Sequence, residues 1–304
     1  MNIVFMGSPE FAIPSLERIH KSSHNIVAVV SNVDKRRGRG SDKAPTPVKA
    51  KAIELGLSVI EVQDLKSEEF ENELRKLDAD LFVVVAFRIL PKRILEIPKI
   101  GSINLHASLL PKYRGAAPIH WAVINGERKT GCTIFFLDEK VDTGNILLQK
   151  EVTISDNETT GDVYERLMNE GSIQLLEAID TIEKGDYELL TQDDSKATPA
   201  PKLFNDNTRI DFSDSAEVIH NQIRGLNPFP VAWTQWNGKK VKIYKARIGM
   251  DANISYGDIL EKDGKLLVGS GNGTLEILEL QLPGKNKMNA TEFINGFEIE
   301  GRFS

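Results

Sequence analysis

The sequence predicts a doubly wound, mainly parallel α/β sheet followed by a small β-barrel. Three observations predict it. Short β-branched runs alternate with helical patterns over about the first 180 residues. A polar stretch with two prolines and no sustained period then breaks the rhythm. Past it come short alternating strands separated by glycine turns.

Taken in order, NIVFM (2–6), NIVAVVS (25–31), LFVVVAF (81–87) and SINL (102–105) have the β-branched, nearly unbroken apolar character of buried parallel strands. Helices are expected between them near Pro9–Lys21, Thr46–Leu55 and Ser67–Leu77, the last with Ser67 as N-cap ahead of Phe70 and Leu74. A β-α-β order of this kind implies right-handed crossovers. CTIFFL (132–137) and NILLQKEVTI (145–154) extend the sheet, and an amphipathic helix from Thr160 to Glu183 closes a first domain spanning 1–189. Residues 190–207 read as a linker. The second domain, 208–304, opens with a helix near Ser215–Arg224. It continues through VKIYKAR, GDILEK, KLLVGS and TLEILELQL, with turns at DG (263–264) and GNG (271–273).

The 304 residues are 40% hydrophobic and 27% charged, ordinary globular proportions. No apolar run reaches the length of about 18 residues that a membrane span needs, so no membrane association is expected. Met1–Met6 lacks a basic lead and a cleavage site and reads as a first strand. The single cysteine, Cys132, excludes an intramolecular disulfide, and the five scattered histidines show no zinc spacing, so no metal is expected. A cytoplasmic location fits. The net charge of −6 argues against general condensation onto nucleic acid. Two local patches run against it: Lys35, Arg36, Arg37, Arg39 and Lys43 within 34–43, and KKVKIYKAR (239–247), which includes Lys240 and Lys242. Such patches suit a specific polyanionic partner, or are simply solvated faces.

In open α/β sheets ligands gather at the carboxyl ends of the strands. SINLH ends such a strand, and Asn104 and His106, two apart, project to one side. A carboxamide and an imidazole aimed together can cradle an oxyanion, and the imidazole can also move a proton. DEKVDTG (138–144) brings Asp142, a carboxylate able to orient His106 and favour its charged form. Gly144 leaves room for close backbone approach. Singly, each has a duller reading: a strand-end Asn caps turns, an isolated His is usually structural, and Asp-Thr-Gly is a common turn.

The run NLHASLLPKYRGAAPIHWAVINGERKTGCTIFFLDEKVDTGNIL (104–147) resembles the core motif of the 10-formyltetrahydrofolate-dependent formyltransferase family. Within that family it resembles most the members that act on charged initiator tRNA. The resemblance places the family's catalytic Asn, His and Asp on Asn104, His106 and Asp142. It places the folate-contacting segment on Ser108, Leu109, Leu110 and Pro111. FMGSPEFA (5–12) looks like the family's first strand and loop, and TRIDFSDSAEVIHNQIRGLNPFPVAW (208–233) like the start of its C-terminal domain. The implied fold is a Rossmann-like catalytic domain with an OB-like, tRNA-binding barrel. One departure is AFRILP (86–91), a shortened loop with Arg88 where the family has glycine. That loop, with Phe87, Arg88 and Ile89, forms part of the family's pterin pocket.

The implied reaction moves a formyl group from 10-formyltetrahydrofolate, a cosubstrate, to the amine of initiator methionyl-tRNA, by a monomeric enzyme. Asn104 and protonated His106 stabilise the oxyanion while Asp142 supports the imidazolium. By the same resemblance Arg39 enters the acceptor stem and Lys35, Arg36, Arg37 and Lys43 meet phosphates. Lys202 in the linker lies near the tRNA, and Lys240 and Lys242 add contacts from the barrel. The alternatives are a folate enzyme with a nucleotide-sugar acceptor or formyl hydrolysis, a dinucleotide-binding oxidoreductase using MGSPEF and Asp34, and a non-catalytic RNA-binding module. The oxidoreductase needs a glycine trio where Ser8-Pro9-Glu10 stands. The module leaves the Asn-His-Asp set without a purpose.

Overall fold

The structure, a computed structural model, describes residues 1–36, 43–250 and 253–304, without the side chains of Lys35, Arg36 and Lys43. The chain forms two compact units, each discontinuous in sequence. One comprises 1–115, 130–152 and 164–199, and the other 116–129, 153–163 and 200–304. Two short segments inside the expected first domain, 116–129 and 153–163, therefore group with the second unit.

The first unit begins with β1 (Asn2–Gly7), α1 (Ile13–His20), β2 (Asn25–Asn32), β3 (Lys35–Arg36), β4 (Lys43–Ala44) and α2 (Pro47–Glu54). It continues through β5 (Val59–Val62), α3 (Glu68–Arg75), β6 (Leu81–Val85), α4 (Lys92–Leu95), β7 (Gly101–His106) and β8 (Arg114–Gly115). After α5 (Pro118–Ile124), which belongs to the second unit, come β9 (Lys129–Phe136), β10 (Ile146–Thr153) and α6 (Thr160–Lys184). The main sheet runs β10-β9-β7-β6-β1-β2-β5. From β5 to β7 all pairs are parallel, and β9 joins β7 antiparallel. The mainly parallel, doubly wound sheet read from the sequence is borne out.

Local chemistry explains the elements. Every residue of β6 is buried, as a strand covered on both faces requires. It stops at Val85, two residues short of the apolar run, because Ala86 turns into the left-handed region at φ 48°. The Thr46 side chain caps α2 by accepting from the Lys49 amide, and Ser67 caps α3 by accepting from the Phe70 amide. Gly171 lets α6 lie directly on the sheet: a Cβ there would come within 3.0 Å of Cys132 Sγ and of a Leu105 methyl. One core cluster joins Val4, Met6, Val30, Phe70, Leu74, Phe82 and Val84.

The second unit contains α5 and the stretch after β11 (Pro199–Ala200): α7 (Ala216–Gly225), β12 (Ala232–Trp236), β13 (Lys239–Ile248), β14 (Ile259–Lys262), β15 (Lys265–Gly269), β16 (Thr274–Gln281), β17 (Met288–Asn289) and α8 (Ala290–Gly296). Its antiparallel sheet runs β12-β13-β16-β15-β14, with β17 on β16. The final residues bridge its two ends, Phe303 with Trp236 and Arg302 with Asp258, which rounds the sheet into a barrel. Inside, the Trp236 and Phe293 rings meet edge to face at 5.0 Å. Helix α5 packs on α7 at Gly225, where a Cβ would collide with Ile124.

Candidate active site

Strand β7 presents Asn104 and His106 at alternate positions next to β6 and β9, on the carboxyl side of the sheet. Asn104 Nδ2 donates to the Val84 carbonyl at 3.1 Å. That bond fixes the carboxamide and leaves its second N–H for a ligand. His106 is buried, its ring edge-on to Phe135. Its Nε2 lies 2.8 Å from the Tyr113 carbonyl. A carbonyl only accepts, so Nε2 carries its hydrogen there and Nδ1 is the nitrogen turned toward the site.

Nδ1 faces Asp142, whose Oδ2 is 3.7 Å away. That distance is too long for a hydrogen bond but within the range of an ion pair. The same Oδ2 accepts from the Gly115 amide at 2.8 Å, which pins the carboxylate. The three groups expected to meet are thus the strand pair Asn104 and His106 and the loop residue Asp142 beside the imidazole.

The loop carrying Asp142 is built to hold it. Asp138 accepts from the Lys140 amide and from the Thr143 hydroxyl, closing the turn. A Cβ on Gly144 would sit 1.7 Å from the Phe136 carbonyl, so glycine is obligatory. The close approach is made to the protein's own backbone. Gln192 donates to the carbonyls of Asp142 and Gly144 and accepts from Arg114, which also pairs with Asp194. Three non-glycine residues here occupy the left-handed region: Ala86, Tyr113 at φ 61° and Asp142 at φ 56°. Each such conformation costs about 1–3 kcal/mol, and their clustering marks a site where geometry is imposed. Gln192, Arg114, Tyr113 and Gly115 carry no functional signal of their own in the sequence.

The segment Ser108–Pro111 forms a packed turn. Ser108 is fully buried; its hydroxyl donates to the Lys112 carbonyl, and its own carbonyl accepts from Thr133. The Leu110 amide donates to Thr133 Oγ1, and its carbonyl accepts from Gln149. Leu109 lies over Gly131. What this turn offers a ligand is mostly the half-buried Leu109 and Pro111. In the loop after β6, Phe87 is half-buried and Ile89 is 71% exposed. Arg88 donates to the carbonyls of Val62 and Gln63 and lies over the Phe87 ring. Burial pushes its guanidinium pKa down, Asp64 opposing. The arginine in place of glycine therefore ties the loop to the end of β5.

Sheet order reverses between β1 and β6, and a cavity of about 390 Å³ opens there. Ser8, Asn32, Ala44, Thr46, Ala86 and Phe87 are among its lining residues. Asp34, the acid that a dinucleotide enzyme would need, is held by Lys49 at 2.9 Å, and Lys49 also holds Glu61. Of the basic segment, Lys35, Arg36 and Lys43 lie on the paired β3 and β4, while Arg37 and Arg39 fall outside the described residues. Lys202, Lys240 and Lys242 line one groove of the second unit. Among the described residues no group of three or more His, Cys, Asp or Glu is placed to hold a metal, and no helix is long and apolar enough to cross a membrane.

The formyl transferase family model matches residues 1–179, and the model of the formyl transferase C-terminal domain matches 202–298. A methionyl-tRNA formyltransferase of Chlorobium limicola is 45% identical, covering 99% of this chain and 98% of its own length. That of Clostridioides difficile is 42% identical, covering 99% and 98%. Among solved structures, the N-formyltransferase of Helicobacter canadensis in complex with folinic acid and dTDP-3-aminofucose superposes with a TM-score of 0.68. It is 26% identical and covers 90% of this chain and 97% of its own.

Proposed function

We propose, from the premise that this chain belongs to the formyl transferase family, that it moves the formyl group of 10-formyltetrahydrofolate onto the α-amino group of methionyl-initiator tRNA. The product, N-formylmethionyl-tRNA, serves translation initiation. The observation that carries the reading is the meeting of Asp142 with His106 Nδ1, beside Asn104, in a chain similar over nearly its whole length to methionyl-tRNA formyltransferases.

Exposed Ile89 and half-buried Phe87, with Leu109 and Pro111, offer apolar surface suited to the flat ring of a reduced pterin. When bound there, the folate supplies an activated formyl carbon on its N10. Asn104 donates its second N–H to the formyl oxygen as negative charge builds on it. His106, protonated at Nδ1, adds a second donor, and the Asp142 carboxylate stabilises that imidazolium. Asp142 also takes up the proton released by the attacking amine, directly or through water, and returns it to N10 as the bond from N10 to the formyl carbon breaks and tetrahydrofolate leaves. The backbone around Asp142 is fixed beforehand, so little reorganisation accompanies the charge development.

The acceptor enters over the cavity at the sheet's switch point, since the basic segment 34–43 leads into Ala44 on its wall. Lys35, Arg36, Arg37, Arg39 and Lys43 neutralise its phosphates, and Lys202, Lys240 and Lys242 do so from the second unit.

The test mixes the enzyme with 10-formyltetrahydrofolate and methionyl-initiator tRNA and reads formylmethionine by mass spectrometry, with a nucleotide amino-sugar as competing acceptor. Formylation of the tRNA is expected. Asn104→Ala and Asp142→Asn should each lower kcat about 100-fold or more while tRNA still binds. Preference for the amino-sugar would overturn the choice of acceptor, and normal turnover in either variant would remove that residue from the chemistry.

A further inference from the structure

Two phenylalanines of the second unit stand in solvent: Phe229 is 77% exposed and Phe204 is 61% exposed. Both line a groove of about 400 Å³ together with Trp233, His120, Lys202, Lys240 and Lys242. The sequence folds to keep them there. His120 Nε2 donates to the Phe229 carbonyl at 3.0 Å, and the Phe204 amide donates to Asn207 at 2.8 Å. Trp233 donates its indole N–H to the Asn205 carbonyl, and Lys240 reaches the Asn205 side chain.

Strand alternation sorts the basic run of β13. Val241 and Ile243 point into the core, while Lys240 and Lys242 lie on the outer face with Trp233 of β12, directly opposite Lys242. Cations stand over the rings: Lys240 lies 4.1 Å and Arg209 5.6 Å from the Trp233 centroid, and Lys202 lies 5.7 Å from that of Phe204. Burial first, and Lys242 second, push the Lys240 pKa down, so an anion here would relieve crowded positive charge.

We propose that this groove holds an unpaired nucleobase of the tRNA, with the base stacked on Phe204 and Phe229 and its flanking phosphates on Lys202, Lys240 and Lys242. The assignment rests on the tRNA reading above and adds to it a place where single-stranded RNA is gripped by its bases. The chemistry fits that occupant. A nucleotide presents a flat π-face joined to a negative charge, the complement of exposed rings interleaved with lysines. An apolar protein segment would satisfy the rings but desolvate three ammonium groups and bring them no anion. A duplex would satisfy the lysines but keep its bases stacked away from the rings.

The experiment uses the full-length enzyme and charged initiator tRNA carrying 2-aminopurine in place of an adenine of its single-stranded 3′ end. Binding to the wild-type protein should quench the probe. Phe229→Ala and Phe204→Ala remove exposed rings and should leave circular dichroism and Tm unchanged. Each should weaken binding about 5- to 100-fold, restore probe fluorescence and keep the salt slope. Lys240→Ala should instead lower the slope of log Kd against log salt by about one. Wild-type-like affinity and quenching in both phenylalanine variants would overturn the assignment and leave the groove to a protein segment. Failure of the wild-type enzyme to bind the tRNA at all would sink the functional reading, and the groove with it.

Discussion

The side-chain amide of Gln192 donates to the main-chain carbonyls of Asp142, at 3.0 Å, and of Gly144, at 2.8 Å. A residue 50 positions away in sequence thus braces a turn whose central aspartate is held at φ 56°.

Removing that brace should show in turnover. In Gln192→Ala both carbonyls lose their donor, the turn beneath Asp142 loosens, and only the Gly115 amide is left to hold the carboxylate beside His106. We expect kcat to fall about 10- to 100-fold, since displacements near 1 Å at a reacting group cost that much. The Kd for tRNA and the Tm should stay close to wild type. Gln192→Glu lacks the donating amide and should resemble alanine. Turnover equal to wild type in both variants would show that Gln192 has no part in placing Asp142.

The lone thiol should be inert. Cys132 is buried beneath Gly171 of α6, and burial, followed by the neighbouring Glu170, pushes its pKa up to about 12. At pH 8 only about one molecule in ten thousand would carry the reactive thiolate. A disulfide reagent should therefore label the native enzyme negligibly and the denatured chain to one equivalent. Rapid labelling of native protein would contradict the packing of α6.

Asp80 links stability to acidity. Its carboxylate accepts from the Asn2 amide at 2.7 Å and from Lys99 at 3.1 Å, and these bonds hold its pKa below the ordinary 3.8. A folded-state value lower than the unfolded one stabilises the native state at pH above 3.8, and that stabilisation is lost as pH falls through the folded value. Asp80→Asn should cost about 1 kcal/mol at neutral pH, the net worth of one ordinary hydrogen bond. The difference from wild type should shrink as urea melts are taken to pH 3 and below. A gap that stayed constant on acidification would rule out this linkage.

Much of this was legible in the residues. Unbroken β-branched runs disclosed β1, β2, β6 and β7, and Thr46, Ser67 and Ser215 marked helix starts where the structure places caps. The pair Asn104 and His106 followed from strand alternation alone. Strand β5 was missed because it lies at the sheet edge with Glu61 exposed, which breaks the apolar run. Helix α8 was missed although Asn289 and Glu292 form a complete capping box, a signal that was there to be read. Gln192 could not be found: it sits in a polar stretch, and its partners Asp142, Gly144 and Arg114 come near only through the fold. Arg88 hid its role similarly, since a departure from a family motif does not disclose that the side chain reaches the carbonyls of Val62 and Gln63.

The bond from His106 Nε2 to the Tyr113 carbonyl restricts what the ring can do during a catalytic cycle. Tautomer exchange is blocked, so the imidazole cannot pass a proton in at one nitrogen and out at the other. Whatever Nδ1 accepts it must return on the same side, within sight of Asp142. In the proposed transfer, the proton leaving the amine therefore travels past the ring, over the Asp142 carboxylate, to the departing N10 nitrogen.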